Sequence, residues 1–314
     1  MTALGRPERP GIAMGPGHEF DLVRALVARW GSAAQGIGGD CAALRVPDGE
    51  QLVVSTDTST EHVHFRREWI SPAEIGYRAA TSALSDLAAV AATPLGLLVA
   101  LTLPAAWRSD ALELADGIGE AARLAGAAIV GGDTTAGERL SLTVTVLGAA
   151  ARPLARRGAR PGDAIWVTGW FGGPGAAVSA WHGGREPAPA HRARFAHPVA
   201  RLAEARWLAS RGARAAVDVS DGLAADLRHL AAASGVRIRL DVDAVPILAG
   251  VSAAQALASG EEYELALAAP EQLDANAFAA AFGVPLTRVG VVEQGAPEVV
   301  ARVDLPAGHD HLTD

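Results

Sequence analysis

The sequence of 314 residues contains no lysine at all; every one of its 27 basic residues is arginine. A Walker A loop needs its lysine, and a protein-kinase site needs one on its third strand. Both common nucleotide-kinase architectures are therefore excluded, and so is Schiff-base chemistry. Cysteine is nearly absent too: Cys41 stands alone, so no internal disulfide framework exists. Basic excess is also missing. The formal charge of -8 argues against a nucleic-acid-binding surface. The first thirty residues hold Arg6, Arg9 and Arg24 but no apolar core of a secretory signal. The longest apolar run, Leu95 to Leu103, is too short to span a bilayer. A cytoplasmic protein without membrane or nucleic-acid partners is the expectation.

What is present is a balanced globular composition, half apolar and a fifth charged, on a chain long enough for two domains. Met1–Gly17, rich in Pro and Gly, is expected to be disordered, and Met14 could be the true start. A first domain is expected over 18–150 and a second over 151–314, the polar turn-rich segment Arg156–Asp163 marking the boundary.

Along the first part, apolar spacing predicts a helix over Glu19–Trp30. Short strands are expected at Ala42–Val46 and Leu52–Thr56, separated by the turn signal Pro47-Asp48-Gly49. His62 and His64 alternate with Val63 and Phe65, as on a strand with one polar face. Ser71-Pro72-Ala73-Glu74 carries an N-cap, a first-position proline and a capping glutamate. The helix it opens is expected to reach about Ala92. A strand (Leu95–Leu103), a helix (Asp110–Ala125) and a strand (Leu140–Leu147) follow, which suggests an α/β layer. In the second part, Ala164–Thr168 reads as a strand, Trp181–His197 as a loop, and Pro198–Ser210 as a helix.

Five short acidic elements carry the chemistry: Gly38-Gly39-Asp40, Ser55-Thr56-Asp57-Thr58, Leu84-Ser85-Asp86, Gly131-Gly132-Asp133-Thr134-Thr135 and Asp218-Val219-Ser220-Asp221-Gly222. Each offers oxygen donors beside glycine, serine or threonine. That pattern suits a hard cation such as Mg²⁺ with a phosphate next to it. Each also has a plainer reading. Asp133 could cap its own backbone in a hairpin-like turn, Asp86 could face solvent, and Asp221 could be a helix cap. Asp218 and Asp221 place two carboxylates at one strand-to-helix turn, where like charges favour a bound cation. Gly260-Glu261-Glu262-Tyr263-Glu264-Leu265 could be a functional acidic turn or merely a solvated one.

These elements, with Val63-His-Phe65 and Gly158-Ala-Arg-Pro-Gly-Asp163, occur in the order found in the thiamine-monophosphate kinase family, which the chain resembles from about Glu19 to His311. The resemblance implies an α/β (α+β) fold of two domains, like that of aminoimidazole-ribonucleotide synthetase. In it an N-terminal sheet forms a barrel across a homodimer and an α/β C-terminal domain completes the nucleotide site. It implies ATP-dependent phosphorylation of thiamine monophosphate to the diphosphate with several Mg²⁺ ions. It implies metal ligation by Asp40, Asp57, Asp86, Asp133, Asp218 and Asp221, with Ser55 and Thr56 assisting. Asp57, Asp133 and Asp221 would sit at the reaction centre. Gly132, Asp133, Arg156 and Ser220 would contact ATP; His64, Glu261 and His309 would contact the substrate. The chain departs from the family pattern at Gly39, Ala83, Ala136 and His309. Alternative readings are another ATP-dependent enzyme of the same superfamily, or a regulator that binds nucleotide or thiamine phosphate without turnover. Selenophosphate synthesis would need a reactive thiol in a Gly-rich loop, whereas Cys41 directly follows Asp40. The hydrogenase-maturation relative needs a C-terminal cysteine, and this chain ends Leu312-Thr313-Asp314.

Overall fold

A computed structural model describes residues 17–309. The expected disorder of Met1–Gly17 thus falls outside the described residues, Gly17 excepted, as does the end of the resemblance at His311. In chain order the elements are α1 (His18–Trp30), β1 (Gln51–Thr60), α2 (Pro72–Ala89), β2 (Thr93–Thr102), α3 (Ala111–Ala125), β3 (Ala128–Thr135) and β4 (Ser141–Ala150). Next come β5 (Ala164–Thr168), α4 (Gly173–His182), α5 (Pro189–Ala196), α6 (Leu202–Ser210), β6 (Ala215–Asp218) and α7 (Leu223–Ser234). The series closes with β7 (Arg237–Leu240), α8 (Ala253–Ala258), β8 (Leu265–Ala269), α9 (Ala275–Phe282), β9 (Leu286–Glu293) and β10 (Glu298–Val300).

The strands form two sheets, one of four in the order β1-β4-β2-β3 and one of six in the order β10-β7-β9-β5-β8-β6. The chain divides into two compact units. One comprises the residues up to Pro47, Thr56–Ala80 and Pro94–Leu147; the other comprises Asp48–Ser55, Thr81–Thr93 and everything from Gly148.

In the first unit α3 turns Leu114, Ala115, Ile118 and Ala122 inward, all nearly inaccessible. Apolar residues at this spacing form one face of a helix, and each large one contributes roughly 1.5–3 kcal/mol on burial. The predicted cap at the head of α2 forms: Ser71 N–H donates to Glu74 Oε2 at 2.8 Å, and Glu74 N–H to Ser71 Oγ at 3.3 Å. In the second unit Leu223, Leu227 and Leu230 of α7 join Val217, Ile238, Leu257 and Val289 in one core.

Three local expectations fail. Ala42–Val46 adopts no regular structure and is largely exposed, because its alternating apolar residues find no ladder. Trp181–His197 is not one loop. Pro189 pre-sets the first turn of α5, which packs on α4 with Trp181 edge-on to Phe195 at 5.2 Å. His62 and His64 lie in a tight turn bridged by Glu61 and Phe65, not on a strand, and His62 takes φ +68°.

Candidate functional site

The Gly131–Thr135 stretch does not turn. It continues β3, paired parallel with β2 so that Val99 lies opposite Gly132 and Ala100 opposite Asp133, beyond a bulge at Leu97/Leu98. A bulge re-aims the residues beyond it. A Cβ at Gly132 would lie 1.9 Å from the Val99 carbonyl oxygen, and φ there is +157°. Only glycine lets the two strands approach this closely. Gly132 and Asp133 open onto a cavity of about 660 Å³ that also contains Asp40 and is otherwise mainly apolar, with Phe20, Val23 and Leu98 in its wall. That volume is in the range of small-molecule sites.

On β1, alternation separates the expected ligands. Thr56 and Thr58 bond across to β4, Oγ1 to Oγ1, at 3.0 Å from Thr145 and 2.9 Å from Thr143. Ser55 and Asp57 therefore project from the opposite face of the strand.

Within the second unit, Ser55 Oγ donates to Asp86 Oδ2 at 2.5 Å. Ser55, Asp86, Asp218 and Arg156 line one cavity of about 200 Å³. Asp86 sits among the buried Ala83, Leu84, Leu87 and Ala88 of α2, and Asp218 is only 6% exposed. Carboxylates brought into such surroundings need compensating charge. Two carboxylates and a hydroxyl beside a guanidinium form a donor set that fits a hard divalent cation with a phosphate oxygen next to it. Among the described residues no three His, Cys, Asp or Glu side chains are grouped to hold an ion.

The loop after β6 is organised by a residue that the sequence reading passed over. Asp221 does not cap α7; the cap position is Gly222, with no side-chain bond. Instead Asp226 Oδ2 accepts the N–H groups of Ser220 and Asp221, both at 3.1 Å. Burial, then the charges of Asp221 and Asp218, push the Asp226 carboxyl up to about 7 against those two hydrogen bonds. Its signal was an acid on the buried face of α7, between Leu223 and Leu227. Backbone bonds then stitch this loop to the acidic motif: Glu261 N–H to Ser220 O (2.7 Å), Tyr263 N–H to Val219 O (2.9 Å) and Val219 N–H to Glu264 O (2.8 Å). Glu261 and Tyr263 take left-handed φ of +57° and +53°. Such backbone persists where its surroundings over-determine it.

The acidic motif is not a solvated turn. Glu264, fully buried, receives Arg201 Nη2 and Nε at 2.6 and 2.7 Å, Arg194 Nη2 at 2.9 Å and the Thr168 hydroxyl at 2.7 Å. Burial would raise its carboxyl, but Arg201 and Arg194 together hold it below the usual range. Glu262 accepts the Gly172 N–H at 2.5 Å at the start of α4, a favourable place for an acid. Its burial nonetheless raises it to about 7, against the pull of Arg194. Glu261 alone of the three stays partly exposed. His64 Nδ1 accepts the Thr60 N–H at 3.1 Å, and the backbone N–H of His309 donates to Asp221 O at 3.0 Å.

The two-domain fold defines the class first. Residues 38–150 match the model "AIR synthase related protein, N-terminal domain", and 160–302 match the corresponding C-terminal domain. The chain is 38% identical over 294 residues to a thiamine-monophosphate kinase of Salmonella typhimurium, covering 87% of this chain and 89% of that one. The crystal structure of thiamine-monophosphate kinase from Stenotrophomonas maltophilia superposes with a TM-score of 0.82 at 35% identity, covering 92% of this chain and 98% of that one. A second structure, AaThiL complexed with AMPPCP and TMP, gives 0.77 at 28% identity, covering 94% and 97%. The chain belongs to the thiamine-monophosphate kinase family.

Proposed function

We propose that this protein phosphorylates thiamine monophosphate to thiamine diphosphate with ATP. The observation that carries the reading is kinship with thiamine-monophosphate kinases over nearly the whole chain. The lysine-free sequence is consistent with it, since charge on the phosphates must then be met by arginine and by bound cations. A terminal oxygen of the substrate phosphate attacks the γ-phosphorus of ATP in line. The new P–O bond forms as the bond to the β-bridging oxygen breaks, and ADP leaves. Such transfer asks the protein mainly for positioning and charge neutralisation. A phosphate monoester is already largely ionised at neutral pH, its second pKa being about 6, so no general base is required.

Asp40, Asp57, Asp86, Asp133, Asp218 and Asp221, with Ser55, would hold Mg²⁺; bound there, Mg²⁺ supplies neutralisation of the phosphate oxygens. Thr56, whose hydroxyl turns to Thr145 on β4, would assist through its backbone carbonyl. Arg156 approaches the nucleotide phosphates, and Gly132 and Ser220 lie along the backbone that meets them. Glu261, His64 and His309 are assigned to the substrate. We assign domain limits of 18–150 and 151–314, a cytoplasmic location and a homodimer. The dimer is supported by edge strand β1, where Leu52 and Val54 are 49% and 57% exposed. No helix among the described residues is long and apolar enough to cross a membrane. The test is Asp57→Asn or Asp133→Asn in the full chain. Either variant keeps its circular dichroism and loses turnover; near-normal turnover in either would remove that residue from the reaction centre.

A further inference from the structure

Residues 301–309, beyond β10, belong to no helix or strand, yet they are held at defined points. Leu305 packs on the core of the second unit. Arg228, on α7, then grips three consecutive carbonyls. Its Nη1 donates to Pro306 O at 2.6 Å and Ala307 O at 3.1 Å, and its Nη2 donates to Leu305 O at 3.2 Å. A rigid planar fork with five donors suits this task, where an ammonium would satisfy the carbonyls only as a point charge. One residue further, Gly308 takes φ +96° and comes so near α7 that a Cβ would lie 2.3 Å from Ala225 Cβ. His309 follows, its backbone N–H on Asp221 O. The segment is thus a strap laid across the first turns of α7, and His309 brings it onto the loop that follows Asp218 and carries Asp221.

We infer that Arg228 is a positioning residue: its guanidinium fixes the register in which the strap delivers His309 to the substrate end of the site. The inference rests on the reading of His309 as a substrate contact. Arg228 itself touches neither nucleotide nor substrate in this account. Its loss should therefore separate the two substrates rather than unfold the chain, because the apolar anchor of Leu305 remains.

The experiment uses the full chain with Arg228→Ala and Arg228→Lys, measuring amide exchange over 306–309 and KM for thiamine monophosphate and ATP separately. Arg228→Ala is expected to speed exchange in that segment. It should raise KM for thiamine monophosphate about tenfold, the equivalent of losing one hydrogen bond to a charged group. KM for ATP should stay unchanged, and Arg228→Lys should fall between. Faster exchange with KM unmoved would overturn the inference, leaving the grip a local tether. An equal rise for both substrates would overturn it as well, and so would exchange identical to the parent. Failure of the functional reading shows itself separately, as a parent chain that makes no thiamine diphosphate, and the inference would fall with it.

Discussion

Glu262 makes the stability of this fold fall as pH rises through the weakly acidic range. Glu262 is 1% exposed, and its carboxyl is raised from 4.5 to about 7, chiefly by burial, with Arg194, Ser259 and the Gly172 N–H opposing. Between those two values the folded chain holds a proton that the unfolded chain has released. The folded state therefore binds more protons, and unfolding free energy drops with rising pH. The contribution is whole below about pH 4.5 and lost by about pH 7. A shift of that size corresponds to about 3 kcal/mol at 1.36 kcal/mol per unit. Glu262→Gln keeps the carbonyl oxygen for Gly172 but cannot titrate. The assay is urea unfolding of both chains at several pH values from 4.5 to 8. The parent should lose about 3 kcal/mol more than the variant across that range, whatever offset the substitution adds at every pH. Parallel curves would refute the reasoning and mean that Glu262 stays ionised throughout.

Two further substitutions test how the fold supports the site. Glu264→Ala leaves Arg201, itself buried, without its main partner; breaking a buried pair in this way costs about 3–5 kcal/mol. Urea denaturation should show that loss, and a change below about 1 kcal/mol, typical of exposed pairs, would contradict the assigned burial. Gly132→Ala drives a methyl group into the Val99 carbonyl. It should destabilise the chain by about 2 kcal/mol or more and lower turnover by displacing Asp133; a thermal melt and activity both matching the parent would show that β2 and β3 are not held so closely.

Legibility in the sequence followed the range of the interactions. The cap at Ser71–Glu74 and the β6-to-α7 turn rest on residues within a few positions of one another, and the sequence shows them plainly. The Gly131–Thr135 stretch looked like a turn because its glycines are visible, whereas their cause, the Val99 carbonyl on a neighbouring strand, is not. The sequence leaves the acidic motif open between a functional and a solvated turn because the partners of Glu262 and Glu264, Gly172, Arg194 and Arg201, lie roughly 60 to 90 positions away. Asp226 is closer to its partners but was hidden in an otherwise ordinary helix. Among the expected ligands, Ser55, Asp86, Arg156 and Asp218 do share a cavity. Strand alternation sends the Thr56 hydroxyl the other way, a consequence of pairing with β4 that spacing alone does not disclose.

The kinase activity of this chain is measured by ADP release from Mg²⁺-ATP in the presence of thiamine monophosphate, thiamine or an aminoimidazole precursor, with the thiamine product identified by chromatography. Multiple turnovers are expected with thiamine monophosphate alone, with thiamine diphosphate as the product. Tight ATP binding without turnover on thiamine monophosphate, or turnover on another acceptor, would contradict that expectation.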